Sequence, residues 1–347
     1  MAWPIPEYSK GDVNRAGNII SASRSKSSRY SELMWALDVL NNWRGCHGYP
    51  INTFQATLRQ RLTKIDSEAL VAQRLKRQPS IIDKLRRYPN MQLARMQDIG
   101  GLRAIVGSVE QVRELENLYA RIGGLSHEFK SKKDYIDDPK ESGYRGVHII
   151  YRYNNPKKPN YTGLHLEMQF RTRLQHTWAT AVETMGTFLN SSLKSSQGPG
   201  DWLRFFELAG SSFAILENCP VLEAHKNMSH NEIIKNTLDT ADSLDIFNQL
   251  NTFSEIAQNL SGIASTYHVV LLDVDKKFVT VESFARDDLL KASQRYSVIE
   301  ESIKEKTNSQ VVLVSAGSID ALRKAYPNYF LDTEDFLRRL KGMRELV

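Results

Sequence analysis

Glu167 lies in a segment whose pattern could place an isolated acid on one face of a strand. Residues 164–170 alternate between apolar and polar side chains, so a strand there would direct Glu167 and Gln169 to the face opposite the apolar residues. A carboxylate on the polar face of a central strand is costly unless it is paired or bound to a metal. Such a group could bind a divalent ion or accept a proton from an attacking hydroxyl. The structural alternative is a salt bridge with Arg171 or Arg173.

A second acid, Asp98, precedes a pair of glycines and a short apolar stretch with strand character. This pattern places Asp98 at the entrance to a strand, near Arg103. Carboxylate oxygens suit magnesium, which is usually held by one or two carboxylates together with substrate phosphates. The alternative is structural, because an aspartate before two glycines is often a turn or cap residue.

Basic residues accumulate ahead of Asp98. Lys76, Ser80 and Lys84 are spaced by four, so a helix would place them on one face, where they could contact phosphate. A solvated helix face is the alternative interpretation. The other cations of this region are Arg74, Arg77, Arg86 and Arg87.

These residues form four motifs that follow one another along the chain. In this order they resemble the RelA/SpoT-type nucleotide pyrophosphokinase domain of the alarmone synthetases, over about residues 70–185. Within that family the chain is most similar to the toxic small alarmone synthetases of the fused toxin-antitoxin CapRel type. The motifs are Arg74-x-Lys76 with Ser80 and Lys84, Asp98-x-x-Gly101-x-Arg103, Lys133-Asp134-Tyr135 with Lys140 and Gly143-Tyr144, and Glu167-x-Gln169-x-Arg171.

The resemblance implies an α/β (α+β) fold of the nucleotidyltransferase type, with a mixed β-sheet flanked by helices. It implies transfer of the β,γ-pyrophosphate of ATP to a ribose 3′ hydroxyl, with Mg²⁺ as cofactor and with Asp98 and Glu167 as the catalytic and metal-binding acids. The side-chain chemistry agrees, because guanidinium groups stack on π systems and fixed cations stabilise transferring phosphate. The implied ATP-binding residues are Arg74 and Arg103, which would stack on adenine, and Lys76, Ser80 and Lys84, which would hold the phosphates.

The same resemblance implies an acceptor site in which Tyr144 stacks on the acceptor base. The chain departs from the family's Gly-Tyr-x-Ser-x-His sequence, because Gly146 stands at the serine position. Loss of the hydroxyl removes one possible hydrogen bond, worth about 0.5–1.5 kcal/mol, and so weakens the case for guanine specificity. The residues implied at the acceptor site are Lys133, Lys140, Tyr144, Arg145, His148, Gln169 and Arg171.

The charge distribution favours a polyanionic acceptor. Residues 1–180 contain 29 Lys and Arg against 17 Asp and Glu, whereas the whole chain has a net charge of +6. Because the basic excess coincides with the motifs, we predict that the acceptor is the 3′ CCA end of tRNA, as the resemblance to toxic family members implies. GDP or GTP is the alternative acceptor, since free nucleotides also require cations, and the product would then be a (p)ppGpp-type alarmone.

The composition predicts a soluble, cytoplasmic enzyme. No stretch approaches the roughly 18 apolar residues of a membrane span, and the N-terminus lacks a charged region followed by an apolar run. Cys46 and Cys219 have no metal-ligand spacing and indicate neither zinc nor a disulfide framework. A length of 347 residues leaves room for two domains. We place them at residues 1–264 and 265–347.

Local patterns predict helices at about residues 29–43, 50–77 and 171–190 in the first domain. The second domain is predicted to be a ββαβα module, with a hairpin over residues 267–284, a helix over 287–306, a strand over 310–314 and a helix over 333–342. This module contains no catalytic constellation, which favours a regulatory role.

The CapRel resemblance implies how such a module would act. Its C-terminal domain would block the ATP site through a Tyr-x-x-Tyr motif, matched here by Tyr326 and Tyr329, and would be displaced by a phage structural protein such as the major capsid protein. The enzyme would then inhibit translation as an anti-phage defence. A hypothesis of another class is a catalytically inactive RNA-binding or phage-sensing protein that keeps the fold.

Overall fold

The strands that the structure describes form one eight-stranded sheet. A computed structural model describes residues 3–22, 30–120, 125–188, 193, 199–254, 267–273, 278–303, 309–315 and 333–347. Within these ranges the strands are β1 (Leu70–Leu75), β2 (Gly100–Val106), β3 (Glu128–Asp134), β4 (Val147–Arg152), β5 (His165–Thr172), β6 (Tyr267–Asp273), β7 (Phe278–Phe284) and β8 (Ser309–Ser315). Their order in the sheet is β3-β4-β5-β2-β1-β8-β6-β7. β2 and β5 are parallel, and the other described neighbours are antiparallel.

Helices flank this mixed sheet, which confirms the predicted α/β fold class. Among the helices that the structure describes, none combines the length and the apolar character that a membrane span requires. The helices are α1 (Lys10–Ala22), α2 (Tyr30–Cys46), α3 (Gly48–Ile65), α4 (Gln78–Arg87), α5 (Val109–Ala120), α6 (Arg173–Phe188), α7 (Gly200–Leu216), α8 (His230–Ser243), α9 (Ile246–Ser254), α10 (Leu289–Ser302) and α11 (Glu334–Gly342).

The main hydrophobic core lies on one face of β5, as the alternation of its residues predicts. Leu166, Met168 and Phe170 are fully buried, and they belong to the same apolar cluster as Phe54 of α3 and Leu115 of α5. Each such side chain contributes about 1.5–3 kcal/mol when it is removed from water. Because neighbouring residues on a strand point to opposite faces, the polar residues of β5 project from the other side of the sheet.

A second core is formed by helices α6 to α9 and by the C-terminal helix α11. Trp178 of α6 and Phe205 and Phe206 of α7 are buried there. Phe336 of α11 is 1% exposed, and its ring centroid lies 6.2 Å from that of Phe206. The helices predicted over residues 171–190 and 333–342 are therefore present, and the second of them packs against the first.

The strands β6, β7 and β8 form one end of the sheet and have their own small core. β6 pairs with both β7 and β8, and the cluster of Val269, Tyr296, Ile299 and Val311 lies between these strands and α10. β8 meets β1 at one residue pair, Val314 with Arg74. The order of these elements is the predicted ββαβα order, while the domain boundary at residue 264 stays a prediction. Tyr326 and Tyr329 lie outside the described residues.

The helix predicted over residues 50–77 is wrong in its second half. α3 ends at Ile65, and Asp66 adopts an extended conformation with φ −153°. The Asp66 carboxylate accepts hydrogen bonds from the amides of Glu68 (2.9 Å) and Gly107 (2.9 Å). Side chains of this kind compete with helical hydrogen bonds and stabilise turns. The chain therefore turns at Asp66 and returns as β1.

Candidate active site

A cleft on the polar face of the sheet contains both predicted acids. Asp98 precedes β2 and Glu167 lies on β5, and the two residues line the same cleft. The positive side chains of Arg74, Lys76 and Arg103 line it with them. The remaining lining residues are Ala72, Gln73, Gly101, Leu102 and Gln169.

The pairing of three strands explains this arrangement. Gly101 of β2 lies opposite Arg74 of β1 and opposite Glu167 of β5. Residues that are opposite each other in a sheet project from the same face. A Cβ atom at Gly101 would lie 3.8 Å from the Arg74 carbonyl oxygen, which is an ordinary contact. The backbone therefore tolerates a side chain there, but a larger one would fill the space between Arg74 and Glu167.

Asp98 forms ion pairs with two lysines. Its Oδ2 lies 3.0 Å from Lys76 Nζ, and its Oδ1 lies 2.9 Å from Lys84 Nζ. Burial raises the pKa of Asp98, but the charges of the two lysines outweigh this effect and hold the pKa below its ordinary value. The charge of Glu167 also acts on Asp98 and raises its pKa, so the two carboxylates are within electrostatic reach of each other.

The predicted phosphate-binding residues do not share one helix face. α4 begins two residues after Lys76 and has Pro79 in its first turn. Proline is favoured there because it has no N–H group to donate and its φ suits the helix. Ser80 and Lys84 lie on α4, whereas Lys76 lies in the connection from β1. The two lysines meet at Asp98 instead of stacking along a helix.

Glu167 belongs to a closed ring of five hydrogen-bonded side chains. His148 Nδ1 lies 2.8 Å from Glu167 Oε1, and His148 Nε2 lies 2.5 Å from the Tyr144 hydroxyl. Arg171 Nη2 donates to that hydroxyl (2.6 Å) and to Gln169 Oε1 (2.9 Å). Gln169 Nε2 closes the ring by donating to Glu167 Oε2 (2.8 Å).

The directions of the bonds follow from Arg171, which can only donate, and from Glu167, whose lowered pKa keeps it ionised so that it can only accept. His148 Nδ1 therefore carries the proton that is donated to Glu167, and the neutral ring accepts at Nε2 from the Tyr144 hydroxyl. Burial lowers the pKa of His148 despite the opposing charge of Glu167, which agrees with a neutral imidazole. Burial alone would raise the pKa of Glu167. The contacts with His148 and Gln169 and the charge of Lys76 outweigh burial and bring the pKa below the ordinary carboxyl range. Glu167 is therefore an ionised acceptor.

This assignment predicts how stability depends on pH. Because the pKa of Glu167 is lowered in the folded chain, its stabilisation is present above the unfolded pKa of about 4.3 and is lost as the pH falls through the folded value. We expect the difference in unfolding free energy between the wild-type chain and Glu167→Gln to be constant at neutral pH and to shrink below about pH 4. Urea unfolding at a series of pH values measures this difference, and a difference that grows in acid would contradict the assignment.

Arg74 and Arg103 are diagonal neighbours on one face of the sheet, because Arg74 lies opposite Gly101 and Arg103 lies opposite Ala72. Diagonal neighbours are about 7–8 Å apart, which is about twice the contact distance of a stacked ring. Burial, followed by the charge of Arg171, lowers the pKa of Arg103 to about 10. Arg103 Nε is buried and has no hydrogen-bond partner within the described ranges. Such a donor beside other cations indicates a place for an acceptor-rich or planar ligand.

Tyr144 is placed differently from the prediction that it stacks on an acceptor base. It is 2% exposed, and its ring lies 5.0 Å from Lys140 Nζ and 4.8 Å from Arg171 Cζ. This placement leaves no open ring face and does not support stacking. Tyr135 is only half-buried and lies 4.5 Å from Lys140 Nζ. Lys133 is exposed on β3, so an acceptor could reach both lysines.

Arg145 does not point into the cleft, which corrects its predicted role as an acceptor contact. Its side chain is buried, and Nη1 donates to the Ile136 carbonyl at 3.0 Å. Burial lowers the pKa of Arg145, and the nearby Cys219 and Glu217 partly offset the effect. Arg145 therefore stabilises the loop between β3 and β4 from the opposite side. Three other predicted acceptor contacts, His148, Gln169 and Arg171, are placed in the ring around Glu167.

Gly146 allows the ring to form. Its φ of +142° is one that other residues rarely adopt, and an added Cβ would lie 3.0 Å from Arg171 Cγ and 3.2 Å from the Phe170 carbonyl. We expect Gly146→Ser to lower the free energy of unfolding by about 1–3 kcal/mol through backbone strain. Thermal unfolding measures this change, with Gly200→Ser as a control because nothing lies within 4 Å of a Cβ at Gly200. Equal losses in the two variants would contradict the explanation.

The two acids fit a magnesium ion that is bound together with substrate. No group of three or more His, Cys, Asp and Glu side chains suited to a metal occurs among the described residues. Two carboxylates are nevertheless sufficient when substrate phosphates and water supply the other ligands. Each oxygen of Asp98 contacts one lysine, and these contacts to mobile ammonium groups can be exchanged for an ion. Asp98 and Glu167 are the residues that would hold the ion.

Comparisons with known proteins identify the segment that carries this cleft. Residues 73–187 match the family model described as "Region found in RelA / SpoT proteins". The chain is 34% identical over 118 residues to GTP pyrophosphokinase YjbM of Bacillus subtilis (strain 168). The matched segment covers 33% of this chain and 54% of that protein. The chain spans about half the length of the curated relatives it matches. The segment that matches the RelA/SpoT family model includes every cleft residue from Gln73 to Gln169.

Solved structures of two bacterial proteins are also similar to the chain. Small alarmone synthetase 1 from Bacillus subtilis, bound to its product pppGpp, is 26% identical, with a TM-score of 0.40 and coverage of 49% of this chain and 90% of that one. A GTP pyrophosphokinase family protein from Streptococcus pneumoniae is 20% identical, with a TM-score of 0.42 and coverage of 56% and 91%.

Proposed function

We propose that the chain is a pyrophosphokinase that transfers the β,γ-pyrophosphate of ATP to a ribose 3′ hydroxyl. The observation that carries the proposal is that Asp98 and Glu167 line one cleft together with Arg74, Lys76 and Arg103. Fixed cations and ionised carboxylates around one cleft suit a reaction whose catalysis consists mainly of positioning and charge stabilisation. The match to the RelA/SpoT region and the pyrophosphokinase named among its relatives support it.

In this proposal the 3′ hydroxyl oxygen attacks the β-phosphorus of ATP. A bond forms between them, the bond from the β-phosphorus to the oxygen bridging to the α-phosphate breaks, and AMP leaves with that electron pair. The hydroxyl proton passes to a carboxylate oxygen of Glu167. A carboxylate of low pKa is a weak base, but it is adequate here because a loose transition state requires little removal of the proton until late. The ring of hydrogen bonds holds Glu167 in one orientation for this step.

The donor would lie between β1 and β2. Arg74 and Arg103 would stack on the two faces of adenine, and Lys76, Ser80 and Lys84 would bind the phosphates. Magnesium held by Asp98 and Glu167 would offset the charge of the phosphate oxygens. Lys76 and Lys84 now contact Asp98, so each lysine would exchange this carboxylate for a phosphate when ATP binds.

We propose the 3′ CCA end of tRNA as the acceptor. The support is the basic excess of residues 1–180 and the exposed Lys133 of β3, which lies opposite His148 and so projects from the cleft face of the sheet. GDP or GTP is the second candidate, and the name of the Bacillus subtilis relative favours it. Gly146 bears on the same choice. The backbone there disfavours a serine, so the acceptor site lacks the hydroxyl that would support specificity for guanine.

We also propose that residues 265–347 inhibit the enzyme and that binding of a phage structural protein, such as the major capsid protein, releases it. The support is the contact of β8 with Arg74, a residue of the proposed ATP site. A ligand activates such a system only when it binds the open form better than the closed one. An inactive RNA-binding or phage-sensing protein is the alternative of another class.

One experiment separates these possibilities. Purified protein is incubated with Mg²⁺ and γ-³²P-labelled ATP, together with either deacylated tRNA or GDP. Label on tRNA is the expected result, and removal of its 3′-terminal adenosine should abolish it. Label on GDP alone would identify an alarmone synthetase, and no transfer by a variant with a released C-terminal module would favour an inactive protein.

A further inference from the structure

A buried acid of the C-terminal module contacts the start of α4. Glu300 of α10 is 8% exposed, and its Oε1 accepts a hydrogen bond from the backbone amide of Gln78 at 3.1 Å. Its Oε2 lies 3.4 Å from Arg44 Nη1 of α2, and the Tyr296 hydroxyl also donates to Glu300. The carboxylate is therefore surrounded by three donors, of which one is the N-terminal amide of the helix that carries Ser80 and Lys84.

Arg44 extends this contact to the connection between β1 and α4. Its Nε donates to the carbonyl of Lys76 at 2.8 Å, and its guanidinium lies 4.7 Å from the centre of the Tyr296 ring. Glu300 and Arg44 together hold the two backbone groups on either side of Arg77. The orientation of Lys76, whose ammonium group reaches Asp98, is thus connected to α10.

The rest of the boundary between the C-terminal strands and the main core is loosely packed. β8 and β1 share one residue pair, and the core of β6, β8 and α10 is separate from the main core. A mostly apolar cavity of about 80 Å³, partly open to solvent, lies along this boundary. Its walls include Trp3, Ile51, Leu75, Tyr267, Leu290 and Leu313.

The Glu300 carboxylate caps the N-terminal end of α4, but its ion pair with Arg44 adds little to stability. A buried ion pair gains little over well-packed apolar side chains, because both charges must leave water. Glu300 also places its own negative charge at the N-terminal end of α4, a position where a bound anion such as phosphate would be favoured. In the proposed function this end of α4 adjoins the phosphates of ATP.

We propose that Glu300 and Arg44 form an inhibitory latch, through which the C-terminal module weakens binding of ATP. The inference rests on the proposed function and specifies how the module acts. With the latch closed, Glu300 occupies the Gln78 amide and repels the donor phosphates. When α10 moves away, the amide and the Arg44 charge are released and the field at Lys76 becomes more positive.

The full-length variant Glu300→Gln tests the latch in two ways. The amide of Gln78 should exchange with deuterium at least about tenfold faster than in the wild-type chain, because its acceptor loses its charge and is held less firmly. A non-hydrolysable ATP analogue with Mg²⁺ should bind roughly tenfold more tightly by calorimetry, since one nearby negative charge is removed. Glu301→Gln is the matched control, because it removes the same charge from the exposed neighbouring residue and should change neither value.

Two results would overturn the latch. Unchanged exchange at Gln78 would mean that Glu300 does not hold the helix end, and weaker binding of the analogue would mean that the contact positions the donor site. Tyr296→Phe is a milder variant that leaves the ion pair intact and should change both values in the same direction but less. If neither the wild-type chain nor any variant binds the analogue, the proposed function fails, while the exchange measurement still decides whether the contact restrains α4.

Discussion

Replacement of Glu167 by glutamine is expected to lower pyrophosphate transfer by at least about 10³-fold while the chain remains folded. The variant loses the proton acceptor and one of the two acids that would hold magnesium. It also leaves the ring with a mismatch, because His148 Nδ1 and Gln169 Nε2 donate to different oxygens of Glu167 and the NH2 group of a glutamine would face one of these donors. Initial rates with labelled ATP measure the loss, and circular dichroism reports the fold.

Two further variants make this result interpretable. Glu167→Asp keeps the charge but withdraws the carboxylate by one methylene, so we expect a smaller loss of about 10–100-fold. Glu128→Gln removes a charge from exposed β3 and should leave the rate unchanged. Full turnover by Glu167→Gln would show that the catalytic acid lies elsewhere.

Asp98→Asn should lower the rate of pyrophosphate transfer by about 10²-fold at a fixed magnesium concentration. It should also raise the magnesium concentration that gives half of the maximal rate. An amide is a weaker ligand for a hard cation than a carboxylate. The change also leaves Lys76 and Lys84 without their shared counter-ion. Because these lysines would then be available to phosphate, binding of ATP without magnesium should be preserved or strengthened.

The measurement is a magnesium titration of the transfer rate, combined with calorimetry of an ATP analogue in EDTA. Asp83→Asn provides the control, because Asp83 is exposed on α4 next to Lys84 and carries the same charge. An unchanged magnesium dependence in Asp98→Asn would rule out metal binding by this residue. Loss of analogue binding in EDTA would instead assign Asp98 to holding the lysines in position.

The sequence predicted the parts of the site that depend on local periodicity. The alternation around Glu167 determined which face of β5 is polar, and the two-residue period is fixed by strand geometry. The apolar strands and the helix of the C-terminal module were predicted for the same reason. The fold class followed from these elements together with the resemblance of the ordered motifs.

Contacts between distant residues were not predictable in this way. The ring around Glu167 depends on the register of β4 with β5 and on the left-handed backbone of Gly146, and neither is visible in the spacing of residues. The incorrect helix over residues 50–77 had a similar cause, because the turn at Asp66 is stabilised by the amide of Gly107, far along the chain. The segment that forms β1 has little strand character of its own, since Val71 is the one β-branched residue among its six.

The directions and contacts of long polar side chains were the least predictable from the sequence. Arg145 follows Tyr144 directly, so one points into the site and the other away from it, and the sequence motif does not distinguish them. The contact of Glu300 with Gln78 joins residues that are 222 positions apart. Its existence depends on how β8 meets β1, which no local pattern specifies.

The position of α11 determines how regulation of this protein can be studied. Phe336 is surrounded by Phe205, Phe206 and Phe213 of α7, although it belongs to the last fifteen residues of the chain. Deletion of everything after residue 264 would therefore leave an aromatic void in the core formed by helices α6 to α9, in addition to removing β8, which pairs with Arg74. A shortened protein that loses activity or aggregates would report on this void, so single substitutions at the α10 contact are the sounder route to an unregulated enzyme.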